Sequence, residues 1–385
     1  MKKLLYITNI PAPYRQKRYN LMKEIFPKNG IEFEVLYMAK IEPDRDWIIP
    51  KESFKYDYKI YKGIHPSIGG FFCHFNPGLL IRLLRKDYDI AIVGGMASPS
   101  HWLAPFFIPK KVLKVMSVES NLYSTVRKTG IGAKIKEILI DKMDAYQVTG
   151  TPQMDYINYF SKKASKKPFI KLPNIIDEEI FRDRVASLRG KENEIRSSIG
   201  LDANTQMWIL PSRLIPIKGI IPFISLLKNV QGIKLFIIGN GPLDKQVREL
   251  VEKENLPVTI LGFKQQDELI YYYAAADLFV LPSLKDASPL SAIEACAAGL
   301  PLLVSSRIGN LEDVLDSPNN GWHYDPENEK EKGKEIVQKI SHMSRNELKE
   351  KGYQSLKRFN DIFEGRKCVE SYVKQLNTVL NLIKG

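Results

Sequence analysis

Short runs of β-branched and large apolar residues alternate with helical periodicity along the whole of this 385-residue chain. No other feature constrains its fold as strongly. Strands are expected at 3–8, 31–38, 90–94, 112–117 and 145–149, and again at 207–211, 234–238, 258–261, 278–282 and 302–305. Helical patterns lie between or after them at 15–26, 78–85, 133–143, 242–254, 266–275 and 329–341. Such alternation makes parallel sheets covered by helices on both faces, so the expected class is α/β. The pattern restarts near residue 205, after the charged stretch 183–204, which reads as a boundary. Two doubly wound, Rossmann-like domains are therefore expected, 1–185 and 186–365, facing each other across a cleft. A final segment, 366–385, carries Val369, Tyr372, Val373, Leu376, Val379 and Leu382 near helical spacing. Doubly wound sheets bind ligands at the carboxyl ends of their strands, so chemistry is sought just after each strand.

All of the net charge of +13 lies in the first half: residues 1–190 hold 32 Lys and Arg against 19 Asp and Glu, and the rest balance at 25 of each. Clusters at Lys110-Lys111, Arg127-Lys128, Lys134/Lys136 and 162–167 suit anionic headgroups or a phosphorylated acceptor, or form a solvated basic face. No nucleic-acid-binding motif accompanies them. Three scattered cysteines, Cys73, Cys296 and Cys368, make neither a disulfide framework nor a zinc site and fit a reducing compartment. The N-terminus reads as a first buried strand rather than a signal peptide. The longest uncharged span, 90–109, is broken by Gly94-Gly95, Pro99 and Pro105, which argues against a membrane-spanning helix.

The densest motif follows the apolar run 278–282. Asp286 and Glu294, eight residues apart, flank a strand-to-helix junction, with Ser288 placed to cap and Pro289 at the first helical position. Free N–H groups there suit a phosphate, and the two acids suit hydroxyls on either side of it. After strand 207–211, Arg213 and Lys218 are placed to reach one diphosphate, Arg bidentately and Lys as a point charge. Gly239-Asn240-Gly241 is a tight turn after the next strand, and Gly262-Phe263 ends another. After the first strand, Asn9-Ile10-Pro11-Ala12-Pro13-Tyr14-Arg15 makes a stiff loop into a helix. Pro173, Asn174, Asp177 and Phe181 follow the last strand of the first half.

Together these residues resemble the retaining nucleotide-sugar glycosyltransferases of the GT-B fold, glycosyltransferase family 4 (glycosyl transferases group 1). The resemblance is strong over 170–325 and weaker before. The pattern Arg-Leu-x-x-x-Lys-Gly stands at 213–219, and Glu-x7-Glu as Asp286 to Glu294, with Ala295, Gly299 and Pro301 after it. Pro-Asn-x-x-Asp…Phe stands at 173–181, and a later Asn-Gly turn at Asn320-Gly321. The opening Pro-Ala-Pro-Tyr-Arg resembles a branch that builds bacterial surface polysaccharides. The resemblance implies that Arg213 and Lys218 hold the leaving diphosphate, Glu294 the ribose and Asp286 the donor sugar. It implies donor contacts from Gly239 and Gly241, from Gly262 and Phe263 beside the base, and from Ser288, Pro289, Leu290 and Ser291 near the phosphate. It also implies that 366–385 crosses back to the first domain. The chain departs from the family in Asp for Glu at 286, in Ser212 for glycine, and in lacking an evident first-domain histidine. Tyr14, Arg15, His101 and Glu119 are the candidates on the acceptor side.

The expected activity is hexosyl transfer (EC 2.4 class) from a nucleotide diphosphate sugar, UDP-sugar favoured, with retention. The expected acceptor is a growing, lipid-linked bacterial surface glycan such as capsule or O-antigen. The location that follows is cytoplasmic and peripheral on the inner membrane face. No cofactor or metal is expected, because Arg213 and Lys218 supply positive charge; Asp44-Arg45-Asp46 and Asp87-Tyr88-Asp89 are patterns that arise readily by chance. A nucleotide-sugar epimerase of the same fold and a non-catalytic glycan- or nucleotide-binding subunit remain open alternatives.

Overall fold

Strand β1 (Lys2–Thr8) sends Leu4 and Tyr6 into one buried cluster and Leu5 and Ile7 into another. It is therefore a central strand with helices on both faces. The computed structural model describes residues 1–42, 49–68, 71–123, 125 and 128–384. They form two units, Met1–Ile175 with Gly365–Gly385, and Ile176–Glu364.

In the first unit, β1 is followed by β2 (Ile31–Tyr37), β3 (Asp57–Ile60), a small antiparallel pair β4 (Ser67–Ile68) and β5 (Phe71–Phe72), then β6 (Ile90–Val93), β7 (Leu113–Val118), β8 (Ala145–Val148) and β9 (Phe169–Lys171). The main sheet is parallel, in the order β3-β2-β1-β6-β7-β8-β9. Helices α1 (Pro13–Ile25), α2 (Pro77–Leu83), α3 (Pro99–Phe107), α4 (Gly130–Asp141) and α5 (Thr151–Phe160) connect its strands. Met22 and Ile25 of α1 share a core with Tyr372, Val373 and Leu376 of the helix Gly365–Lys384; residues of α2 through α5 fill the core on the opposite sheet face. Of the expected apolar stripe on that last helix, Leu382 alone stays 72% exposed. Proline at the first position of α3 starts the helix rather than breaking it. No helix among the described residues is long and apolar enough to cross a membrane.

The second unit holds β10 (Gln206–Pro211), β11 (Ile233–Ile238), β12 (Val258–Gly262), β13 (Leu278–Leu281), β14 (Leu302–Ser305) and β15 (Gly321–Tyr324), all parallel in the order β12-β11-β10-β13-β14-β15. Strand order reverses between β10 and β13, and in the first unit between β1 and β6. These are the switch points where doubly wound sheets open a ligand crevice.

Three expectations need correction. The division falls at Ile175/Ile176 rather than 185/186, because Ile176, Phe181 and Val185 are buried in the second unit's core. The charged stretch 183–204 is not the boundary but part of the second unit. It is largely helical, and Arg196 within it is 1% exposed, reaching Asp277 at 2.9 Å. Arg345 grips the other oxygen of Asp277 at 2.7 Å, and the Met207 amide donates to that carboxylate at 2.7 Å. Strands β3, β9 and β15 were not expected: β3 is exposed throughout, so it lacks alternation, and β9 is three residues long.

Candidate active site

Four loops at the carboxyl edge of the second sheet are stitched together by backbone. The Ser212 amide donates to Ile238 O (3.0 Å), the Leu214 amide to Asn240 O (2.8 Å), and the Gly239 amide to Gly262 O (2.8 Å). The Leu284 amide donates to Ile217 O at 2.8 Å, tying the loop after β13 to the loop after β10. Glycines permit this closeness. A Cβ on Gly239 (φ +152°) would lie 2.1 Å from Ser212 O, and one on Gly219 (φ +64°) 2.2 Å from Pro282 O. Gly241 similarly abuts Leu214 O. The Gly-x-Gly turn, expected to touch the donor, packs its Cα hydrogens on the loop that carries Arg213.

That framework sets Lys218 against Asp286 across the switch point, Nζ to Oδ2 2.5 Å, both half-buried. Arg213 is exposed, and its guanidinium has no hydrogen-bond or ion-pair partner among the described residues. Phe263, 62% exposed, follows Gly262 (φ +73°) on the same edge.

The helix after β13 runs Leu290–Ala297. Here the structure corrects the expected cap. Pro289 is the N-cap residue, in extended conformation, and no side chain caps it; Ser288 lies one residue outside. Asn310 Nδ2 donates to Pro289 O at 3.1 Å and holds the turn. The first-turn N–H groups of Leu290, Ser291 and Ala292 have no partner within the helix, which gives the edge an anion-binding character beside Lys218.

Glu294 sits in the second turn of this helix. Burial pushes its carboxyl up to about 7, partly offset by Tyr273, whose hydroxyl lies 3.5 Å from Oε2. Tyr273 is fully buried and stacks edge-on against Phe181, centroids 5.4 Å apart. The Phe181 of the sequence motif therefore packs against Tyr273, a residue that sequence reading missed. A carboxyl poised to ionise when hydroxyls arrive is suited to a diol.

In the first unit Arg15 and Glu119 meet, Nη2 lying 3.0 and 3.1 Å from the two carboxylate oxygens, while Arg15 Nη1 donates to Thr8 Oγ1 at 2.7 Å. Burial raises the Glu119 carboxyl, but Arg15, aided by Arg18, outweighs that and holds it below its ordinary value. Tyr14 is 39% exposed beside Arg15. His101 is 2% exposed, with neither ring nitrogen hydrogen-bonded among the described residues, and burial first, then His74 and Arg15, drive it down to about 3. Asn174 accepts from the buried Arg18 at 3.2 Å. Asp87 pairs with Arg82, and Asp89 accepts from the Lys3 amide, so that pattern is structural; Asp44, Asp46 and Arg127 lie outside the described residues. Among the described residues no group of three or more His, Cys, Asp or Glu is arranged to hold a metal.

Residues 191–355 match the family described as glycosyl transferases group 1. A glycosyltransferase of Methanocaldococcus jannaschii, MJ1178, itself uncharacterized, is 26% identical over 199 residues, 51% of this chain and 54% of that protein. The amylovoran biosynthesis glycosyltransferase AmsK of Erwinia amylovora is 36% identical over 94 residues, 22% of this chain and 23% of its own. The chain thus spans about half the length, or less, of these curated relatives. Anabaena HepE, solved in complex with UDP, superposes with a TM-score of 0.73 at 16% identity, covering 98% of this chain and all of that one. The fold is therefore GT-B, and residues 191–355 are similar to the glycosyl transferases group 1 family.

Proposed function

We propose that this chain is a retaining hexosyltransferase that moves a sugar from a UDP-sugar to a hydroxyl of a lipid-linked surface glycan. The observation that carries the donor half is the switch-point constellation: Arg213, without a partner among the described residues, the Lys218–Asp286 pair, a helix N-terminus that no side chain caps, and Glu294 one turn further on. In this reading Arg213 and Lys218 neutralise the leaving diphosphate, so no metal is needed for that step. Glu294 takes the ribose hydroxyls and Asp286 the sugar. Phe263 borders the base. The departing phosphate accepts the proton of the incoming hydroxyl on the same face, which is compatible with retention. UDP is favoured because it is the nucleotide in the HepE complex, and a surface glycan because of the likeness to AmsK.

A peripheral membrane location is supported by the outer face of the first unit. Ile131, Ile135 and Ile138, at helical spacing on α4, are 83%, 45% and 45% exposed, and Trp102 and Phe106 of α3 are exposed as well. Lys142 lies 5.3 Å from the Phe106 ring, and Lys134 sits among the isoleucines. An apolar face edged by lysines fits an anionic bilayer surface, each lysine contributing on the order of 1 kcal/mol.

The test is calorimetric titration with UDP, GDP, ADP, CMP and dTDP. UDP should bind to the wild type and at least tenfold more weakly to Arg213→Ala and Glu294→Ala. Product analysis with UDP-sugars then separates transfer from epimerisation, which needs no acceptor. Flotation with phosphatidylglycerol-containing and purely zwitterionic vesicles tests the membrane half. Binding to both alike, or undiminished binding by Ile135→Glu/Ile138→Glu, refutes it.

A further inference from the structure

The carboxyl edge of the first sheet carries a hydrogen-bonded line of side chains that the donor chemistry does not use. Asn9, which follows β1, donates its Nδ2 to Glu42 Oε1 at 3.0 Å. His74 Nε2 lies 2.9 Å from the same oxygen, and His74 Nδ1 lies 2.9 Å from His65 Nδ1. His74 is 1% and Glu42 9% exposed, whereas His65 is exposed. Each group bonds the next in line, so they do not converge on a common point as metal ligands would. The segment is pinned in place. The Ser100 amide donates to His74 O at 3.0 Å, and buried Asn76 donates to Met38 O and Tyr61 O at 2.7 and 3.1 Å.

With both imidazoles neutral, the order of donors assigns the tautomers. The Asn9 amide is oriented by Thr8, whose hydroxyl donates to Asn9 Oδ1 (3.3 Å) while accepting from Arg15. Glu42 is thus an acceptor for both Asn9 and His74, which puts a proton on His74 Nε2. Neutral His74 then has a bare Nδ1, which accepts from His65 Nδ1–H. His65 is left with an unprotonated Nε2 on an exposed ring. Beside this line, at the same switch point, His101 is buried with both nitrogens unpartnered among the described residues. A ligand or water that brings both a donor and an acceptor would satisfy it.

Resting on the glycosyltransferase reading above, we propose that the Glu42–His74–His65 line is the acceptor-recognition element. His65 Nε2 accepts a hydrogen bond from a hydroxyl of a neutral sugar, and Glu42 and His74 are positioning residues that hold it in that tautomer. Such a nitrogen selects a hydroxyl over a group that cannot donate, because loss of the donor leaves it unsatisfied.

The full chain labelled with 15N-histidine provides the test, with glucose, galactose, N-acetylglucosamine and rhamnose as probes. The expected wild-type spectrum shows His65 as the Nδ1–H tautomer, with its Nε2 signal moving on addition of at least one hexose. His74→Phe should return His65 to a mixture of tautomers and weaken that hexose about tenfold, the worth of one hydrogen bond. The exposed substitution His65→Ala should weaken it equally without affecting folding, and UDP affinity should change less than twofold in both variants. Nε2–H on His65 in the wild type, or no response to any of the four sugars while UDP binds, overturns the proposal and leaves the donor reading standing. Failure of UDP to bind overturns the donor reading instead.

Discussion

Replacing Glu294 with glutamine keeps the volume of the side chain and removes its charge, and the structure gives the consequence a sign and a size. Burial raises this carboxyl from an ordinary 4.5 to about 7. Between those values the folded chain holds a proton that the unfolded chain has released. Stability from this group is therefore complete below about pH 4.5 and is lost as pH rises through 7. At 1.36 kcal/mol per unit, the loss amounts to about 3 kcal/mol. A glutamine at this position would titrate nowhere in that window. Relative to wild type, Glu294→Gln should thus gain about 2–3 kcal/mol between pH 5 and pH 8. Urea unfolding followed by tryptophan fluorescence reads this directly, since Trp208 and Trp322 are both buried in the second unit while Trp102 of the first is exposed. The same variant should bind UDP at least tenfold more weakly, a site residue whose removal stabilises the fold while impairing its task. Parallel pH curves for the two proteins would refute the reasoning, because they would mean that the carboxyl is already ionised and solvated without ligand.

On the proposed reading, in which ribose hydroxyls donate to the ionised Glu294, UDP should bind the wild type more tightly at pH 8 than at pH 6, and calorimetry in buffers of different ionisation enthalpy should show proton release; Glu294→Gln should show neither. Gly239→Ala should cost about 1–3 kcal/mol of stability, measured by urea unfolding, and should weaken UDP, because its Cβ must displace the Ser212–Arg213 backbone. Asp277→Ala should cost about 3–5 kcal/mol by leaving Arg196 charged and buried, and the double variant with Arg196→Met should recover part of it. Arg213→Ala should leave the melting temperature unchanged without ligand and abolish its rise with UDP.

The proposed donor residues could be placed from the sequence because a doubly wound sheet puts its chemistry in loops a few residues long. Arg213 to Lys218 and Asp286 to Glu294 each follow one strand, so local spacing carries the site. The glycines were legible as necessary but not in their role, which depends on a backbone oxygen from another loop. Tyr273 was hidden in an apolar helix, where a buried tyrosine reads as core. Glu42, His65 and His74 were invisible for a different reason. They stand 9 to 32 positions apart in irregular chain and meet only because the loops after β2 and before α2 are drawn to one edge. Arg196 misled in the opposite direction: a charged stretch looks like a domain boundary until its arginine is found inside, paired with an aspartate 81 residues away.

The C-terminal helix carries a consequence for the order of events during synthesis. Tyr372 stacks 6.2 Å from Phe26 and donates a hydrogen bond to Gln147 at 2.7 Å, so the first unit's core contains residues separated by nearly the whole chain. The second unit, by contrast, is an unbroken segment, Ile176–Glu364. At about 5–20 residues per second, the strands of the first unit leave the ribosome roughly 10–40 seconds before the helix that seals them. What is made first is completed last, and in the interval the apolar face later covered by Tyr372, Val373 and Leu376 is open to chaperones or to a neighbouring chain.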